Sequence, residues 1–240
     1  MKSTKSFTLL FVFALFFAFS CDGGKKENQK SEIKNDSLAM QETLPTEKEE
    51  LAPEVEEVWS SPAEFKIPES VIYHQENDVL YVANINGNPS DMDDNGFLSK
   101  LSMQGEILNL EWVTGLHAPK GMGIFGESLF VTDIDKVVEI NIPEASIIKE
   151  YPVSGAQFLN DIDIDQNTGN VYISDMGTGK IHIISDGEID VWLENNDLQS
   201  PNGLFVEGNN LLIGAGKVFK ADLESTEQEL FIDNTGSIDG

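Results

Sequence analysis

The stretch NDVLYVANI (77–85) returns three more times in this chain, as GESLFVTDI (126–134), TGNVYISDM (168–176) and GNNLLIGAG (208–216). Each copy begins with turn residues that include Gly, Asn or Asp. The residues after the turn alternate β-branched or aromatic side chains with others, which is typical of a β-strand. The copies recur at intervals of about 40 to 50 residues, a period typical of repeat proteins.

Each copy is flanked by other strand-like segments. One precedes it: ESVIYH (69–74), KGMGIFG (120–126), NDIDID (160–165) or NGLFVEG (202–208). Two more follow it before the next unit begins. Four short strands in about 40 residues indicate a β-propeller blade, and one blade must stack on neighbours to bury its faces. We therefore predict an all-β β-propeller with four four-stranded blades; a β-sandwich would not repeat so regularly.

The chain begins with a targeting pattern. Lys2 and Lys5 precede an apolar run over residues 7–19, which is too short for the roughly 20 residues that span a bilayer. Residues 1–20 are predicted to be a signal peptide. The next residue, Cys21, resembles the lipidated cysteine of bacterial lipoproteins, which implies anchoring at the cell envelope. The alternative is an ordinary secretory signal with a buried cysteine.

Two further boundaries follow from composition. Residues 21–54 contain no aromatic side chain and are rich in Glu, Lys, Asn, Gln and Ser, so we expect an acidic, flexible tether. Residues 55–240 hold the repeat and form the propeller domain. Because TGSIDG (235–240) looks like the start of a fifth blade, we expect a C-terminally truncated propeller of the six-bladed type. Residues 54–65 are a candidate for the strand that closes the last blade onto the first.

The charge excludes one class of partner. The chain of 240 residues has 42 acidic and 15 basic residues, a net charge of −27, and no arginine. Nucleic-acid binding needs a basic face, so no nucleic-acid partner is expected. The same charge favours a divalent cation. Contact with a membrane is expected only through the lipid anchor, and the protein is expected to be a monomer.

Four motifs resemble those of the regucalcin (senescence marker protein), gluconolactonase and luciferin-regenerating-enzyme family of six-bladed propellers. They are PESVIY with Glu69, LNDIDID with Asn160, SPNGLFV with Asn202 and SIDG with Asp239. The resemblance covers residues 67–240 and implies that these four residues bind one divalent cation, usually Ca²⁺, in the central channel. The first motif departs from the family pattern, which usually has proline and tryptophan, at Val71 and Tyr73.

The chemistry of the four residues agrees with that expectation. Two carboxylates and two amide oxygens are hard ligands, suited to Ca²⁺ or Mg²⁺. Equivalent positions on successive first strands converge near a propeller axis. The alternative is that Asn-Gly and Asp-Gly pairs are only turn residues. Lys120, at the equivalent place in the second blade, is expected either to contact substrate or to offset channel carboxylates.

Other patterns carry less weight. GMGIFG (121–126) matches a nucleotide-binding spacing, but a strand rather than a helix follows it. DMDDNG (91–96) begins like a calcium loop, yet Ser102 stands where the loop needs glutamate, so an ordinary loop is favoured. Asp161, Asp163 and Asp165 alternate with isoleucines on one strand. They are either charges that surround the site or a polar strand face, and the polar face is favoured.

The resulting hypothesis is an envelope-anchored, divalent-metal-dependent hydrolase of lactone-like esters. A metal-bound carbonyl would be the electrophile, with Asp239 as general base on water. The alternative is a non-catalytic propeller that binds a ligand or a partner protein, because propellers host both kinds of function.

Overall fold

The computed structural model describes residues 56–238. The predicted signal peptide, Cys21, the tether and Asp239 lie outside these residues. Residues Glu54–Gly240 group into one compact unit. Residues 56–238 contain no helix that could cross a membrane.

Sixteen strands form four antiparallel four-stranded sheets, each made of consecutive strands, as predicted. Blade 1 contains β1 (Pro68–His74), β2 (Val79–Asn84), β3 (Gly96–Ser102) and β4 (Ile107–Leu116). Blade 2 contains β5 (Pro119–Phe125), β6 (Ser128–Asp133), β7 (Lys136–Asn141) and β8 (Ser146–Pro152). Blade 3 contains β9 (Leu159–Ile164), β10 (Val171–Asp175), β11 (Lys180–Ser185) and β12 (Glu188–Glu194). Blade 4 contains β13 (Leu204–Glu207), β14 (Asn210–Gly214), β15 (Val218–Asp222) and β16 (Gln228–Ile232).

The hairpins depend on residues that tolerate the left-handed backbone region. The turn between β11 and β12 has Asp186 and Gly187 at φ 52° and 79°. Two successive positive φ values fit the tight hairpin turn whose twist matches that of the flanking strands. Asp78, between β1 and β2, has a φ of 51°. The Gly, Asn and Asp residues of the repeat therefore form the turns that connect consecutive strands of a blade.

Three apolar layers hold the blades together. Tyr81 of blade 1 packs in the first layer, and Trp112 stacks on its ring at 4.3 Å between centroids. Phe130 and Ile173 belong to the second layer, between blades 2 and 3. Tyr172 lies in the third layer, where Trp192 meets it edge-on. The large side chains at corresponding strand positions thus fill successive gaps between blades.

The first strands lie side by side at the inner end of the blades, and two of their contacts differ in kind. At Gly121 of β5, an added Cβ would lie 2.6 Å from the Cα of Asp161, so only glycine permits this approach. On the other side of β9, Asp161 accepts the backbone N–H of Leu204 at 2.7 Å, and Asp163 accepts that of Val206 at 2.6 Å. The interpretation of these two aspartates as a polar strand face is wrong, because they join β9 to β13.

The segment before blade 1 is not a strand. Residues 56–67 have no strand assignment, and the sheet of blade 4 contains only β13 to β16. Trp59 instead lies against Gly105, where an added Cβ would be 2.4 Å from the indole ring. The suggestion that this segment closes the last blade is therefore wrong for the residues described. Its two aromatic side chains, Trp59 and Phe65, line a cavity together with residues of blade 1.

Candidate functional site

Four residues occupy equivalent places at the start of the first strands: Glu69, Lys120, Asn160 and Asn202. We call them the inner-strand residues. In blades 1 to 3 the first residue of the inner strand pairs with the last residue of the second strand: Pro68 with Asn84, Pro119 with Asp133 and Leu159 with Asp175. The register then shifts before regular pairing resumes. Glu69, Lys120 and Asn160 lie in that shift, which is the kind of irregularity that redirects side chains near functional sites.

Asn202 occupies the equivalent position, although it lies before its strand rather than within it. It precedes β13, and its backbone N–H donates to the carbonyl of Gly214 at 2.8 Å. The inner-strand residues therefore share one register in all four blades, as the sequence pattern predicted.

Hydroxyl groups fix the backbone at these positions. Thr132 donates to the carbonyl of Asn160 at 2.5 Å, and Ser174 donates to that of Asn202 at 2.8 Å. In both cases the hydroxyl comes from the second strand of the preceding blade. Ser70 makes the corresponding bond from β1, to the carbonyl of Lys120 at 2.5 Å. Each inner-strand residue from Lys120 onward is thus tied to the blade before it.

Lys120 is the cation of the group, and it is almost completely buried, at 1% exposure. Its Nζ donates to the carbonyl of Ala118 at 2.9 Å and lies 4.4 Å from the centre of the Phe158 ring. Burial lowers the pKa of Lys120, while the carboxylates of Glu69 and Asp133 act in the opposite direction. The carboxylates of Glu69 and Asp133 thus offset part of the cost of burying this ammonium.

Asn160 presents one end of its amide to sulfur. Its Nδ2 lies 2.7 Å from Sδ of Met176, and a sulfur accepts from the amide nitrogen rather than from the oxygen. The amide oxygen therefore points away from Met176. Since Asn160 is also only 7% exposed, burial and this contact together restrict the orientation of its amide.

Glu69 borders a small apolar cavity. The cavity has a volume of about 260 Å³ and is lined by Trp59, Phe65, Val71 and Leu101 besides Glu69. Drug-sized ligand pockets usually measure about 300–1,000 Å³, so this space suits a ligand no larger than a single ring. It places apolar surface beside the one carboxylate among the inner-strand residues.

The candidate metal ligands combine a carboxylate with amide oxygens. Between residues 56 and 238, no group of three or more His, Cys, Asp and Glu side chains is placed to hold a metal ion. A site at the inner-strand residues would depend on Glu69 together with the amide oxygens of Asn160 and Asn202. Those are hard oxygen donors that fit Ca²⁺ or Mg²⁺, whereas Lys120 opposes a second positive charge there. The fourth predicted ligand, Asp239, lies outside the described residues.

The sequence reasoning missed the acids that support the inner strands. Asp175 is fully buried and accepts the backbone N–H groups of Gln157 and Phe158 at 3.2 and 3.0 Å. Its burial is the largest influence on its pKa and raises it. The imidazole of His182, whose Nε2 lies 3.9 Å from Oδ2, and hydrogen bonds from Thr178, Phe158 and Gln157 together outweigh that effect and lower the pKa. The recurrence of Asn84, Asp133 and Asp175 at the end of the second strand was the available signal.

Comparison with known proteins identifies the architecture. The chain is similar to virginiamycin B lyase from Staphylococcus aureus, with a TM-score of 0.54 and 15% identity over 74% of this chain and 59% of the other. It is also similar to hydrazine synthase from Kuenenia stuttgartiensis, with a TM-score of 0.56 and 16% identity over 75% of this chain and 53% of the other. No family model and no curated protein matches.

The chain is a β-propeller. The solved structures share its fold at low sequence identity, so they indicate its architecture but not its activity. The chain spans less than two thirds of the length of these two proteins.

Proposed function

We propose that this propeller is a divalent-metal-dependent hydrolase of lactone-like esters, with its site at the inner-strand residues. The observation that carries the proposal is the shared register of Glu69, Asn160 and Asn202, which supplies oxygen donors from three blades. The motifs that resemble the regucalcin and gluconolactonase family contain these same residues. Envelope anchoring through Cys21 is part of the proposal.

The protein's own groups would divide the work as follows. A bound Ca²⁺ or Mg²⁺ ion supplies Lewis-acid polarisation of an ester carbonyl. Glu69 and the amide oxygens of Asn160 and Asn202 would hold the ion. Asp239 would take the proton of the attacking water and return it to the alkoxide that leaves when the ester C–O bond breaks. The apolar cavity beside Glu69 accepts the hydrocarbon part of the substrate and excludes water from it.

Lys120 favours a second candidate, a non-catalytic propeller that binds a ligand or a partner. Its ammonium is buried and interacts favourably with the charge of Glu69, so it offsets part of the charge that would attract a metal ion. If Lys120 serves only as an internal counter-ion, the inner-strand residues bind a neutral, polar ligand by hydrogen bonds from their amides. The two candidates therefore differ in whether a metal ion is needed.

The decisive experiment measures hydrolysis of a panel of δ- and γ-lactones by the full chain, with CaCl₂ and after dialysis against EDTA. We expect turnover that is lost with EDTA and restored by Ca²⁺. Asp239→Asn should abolish turnover, whereas the matched change Asp190→Asn, on an exposed outer strand, should leave it unchanged. Retention of Ca²⁺ binding without hydrolysis of any lactone would support the binding protein, and activity in EDTA would overturn the metal-dependent proposal.

A further inference from the structure

We call the two residues before the inner strand of blades 1 to 3, and their equivalents in blade 4, the entry segment. In three of the four blades the same hydrogen-bonding pattern holds the entry segment. A side chain at the end of the second strand accepts backbone N–H groups one and two residues before the inner strand. Asn84 accepts Lys66 N–H at 3.0 Å. Asp133 accepts His117 and Ala118 N–H at 3.0 and 2.7 Å.

Asp175 does the same in blade 3 and uses both carboxylate oxygens. Oδ2 accepts Gln157 N–H at 3.2 Å and Oδ1 accepts Phe158 N–H at 3.0 Å. A carboxylate with two oxygens thus matches two successive N–H groups of the entry segment. Such bonds to an ionised acceptor are stronger than those between neutral groups.

Blade 4 lacks this side chain. The position that follows β14 is Ala215, and the corresponding entry residues are Gln199 and Ser200. The N–H of Gln199 instead donates to the carbonyl of Asp197 at 3.1 Å. Among residues 56–238, no side chain occupies the place that Asp133 and Asp175 fill in their own blades.

A cavity lies where the acid is missing. It has a volume of about 470 Å³, and its lining includes Gln199 on one side and Ala215 with Gly216 on the other. Lys217 also lines it, and this ammonium lies 3.1 Å from Asp233 with about half of its side chain exposed. The cavity therefore lies between Gln199 of the entry segment and the ion pair of Lys217 with Asp233.

We propose that this cavity binds a small carboxylate anion, which takes the place of the side-chain carboxylate missing at Ala215. One of its oxygens would accept the N–H of Gln199 in place of the Asp197 carbonyl, and Lys217 would turn from Asp233 to face its charge. Asp197, Asp233 and the net charge of −27 oppose an anion, so we expect weak binding. The same opposition acts more strongly on a doubly charged phosphate, which favours a monocarboxylate.

The test uses sodium acetate as the probe, with sodium chloride at the same ionic strength as its control. Acetate that binds only the folded chain raises the melting temperature by mass action, and we expect about 2–4 °C at saturating concentrations. In Ala215→Asp the protein supplies its own carboxylate. That variant should melt about 2–4 °C higher without acetate and should no longer respond to acetate.

Two further variants separate charge from geometry. Ala215→Asn supplies a neutral oxygen, as Asn84 does in blade 1, and should also lose the acetate response. Lys217→Gln should weaken the response of the otherwise unchanged chain. Phosphate at equal ionic strength should produce a smaller shift than acetate.

A direct measurement does not depend on whether the variants fold. In amide-resolved NMR of the unmodified chain, acetate should shift the signals of Gln199 and Ser200 while leaving those of Gln157 and Phe158 in place, since Asp175 already occupies the equivalent position there. Shifts at Gln199 and Ser200 that saturate would support the proposal. No shift at these two amides, or an acetate response retained in Ala215→Asp, would overturn it.

Discussion

The two sides of β9 show how one strand position can join neighbouring blades in opposite ways. Towards β5, Gly121 has no side chain, and the two backbones approach so closely that a Cβ would lie 2.6 Å from the Cα of Asp161. Towards β13, Asp161 itself extends across and accepts the N–H of Leu204 at 2.7 Å. Gly121 and Asp161 occupy the same register in successive blades, so one contact depends on an absent side chain and the next on a hydrogen-bonding one.

This difference has a consequence for the candidate site. Asn160 and Lys120 lie next to the close contact, whereas Asn202 lies next to the hydrogen-bonded one. A carboxylate bridge tolerates small displacements, while a backbone contact at van der Waals distance does not. The relative position of Lys120 and Asn160 should therefore be more rigid than that of Asn160 and Asn202.

The largest effect is expected from filling the close contact. Gly121→Val places a branched side chain against the backbone of β9, which overpacks the innermost layer and should cost about 3 kcal/mol or more in the free energy of unfolding. Gly216→Val is the matched control, because an added Cβ there meets no atom within 4 Å. Chemical denaturation of both variants measures the difference. Equal stabilities would mean that β5 and β9 can separate freely.

A smaller effect is expected on the hydrogen-bonded side. Asp161→Ala leaves the N–H of Leu204 without its carboxylate acceptor and should cost about 1–3 kcal/mol. Asp190→Ala, on the exposed face of β12, should change the free energy of unfolding by less than about 0.5 kcal/mol. If the two variants are equally stable, Asp161 belongs to a solvated face after all.

The strand pattern shows where the sequence was sufficient. Alternating apolar residues and Gly, Asn or Asp turns predicted four blades of four strands, and the strands β2, β6, β10 and β14 fall within the four quoted copies. The inner-strand register was also predictable, because the repeat aligns Glu69, Lys120, Asn160 and Asn202. These features depend on local periodicity, which a single sequence records.

The contacts between blades were not predictable in the same way. The pattern NDIDID (160–165) has the alternation of a half-exposed strand, and nothing local indicates that Asp161 and Asp163 accept N–H groups more than 40 residues away. The burial of Lys120 beneath Phe158 likewise depends on a neighbouring entry segment. Both depend on distant segments brought together by stacking, so they require the three-dimensional structure.

Asp163 allows a test of the bridged contact by pH. Burial, the largest influence, raises the pKa of Asp163 above its ordinary value of 3.8, although bonds from Val206 and Ile164 N–H oppose this. The folded state therefore holds this proton more tightly than the unfolded state. As pH falls through the raised pKa, the wild type should gain stability relative to Asp163→Asn, by at most about 1.4 kcal/mol per pH unit. A difference that is independent of pH from 7 to 4 would show that the carboxylate is solvated.

Calorimetric titration of the full chain with CaCl₂ tests most directly whether Glu69, Asn160 and Asn202 form one cation site. Glu69→Gln and Asn202→Ala should each weaken binding about tenfold, equivalent to about 1.4 kcal/mol. Because both would contact the same ion, the double variant should lose a different amount from the sum of the two single losses. Glu76→Gln, which removes a carboxylate in the turn after β1, should bind Ca²⁺ as the wild type does. Absence of Ca²⁺ binding in the wild type, or losses that add as those of independent sites do, would show that these residues do not share an ion.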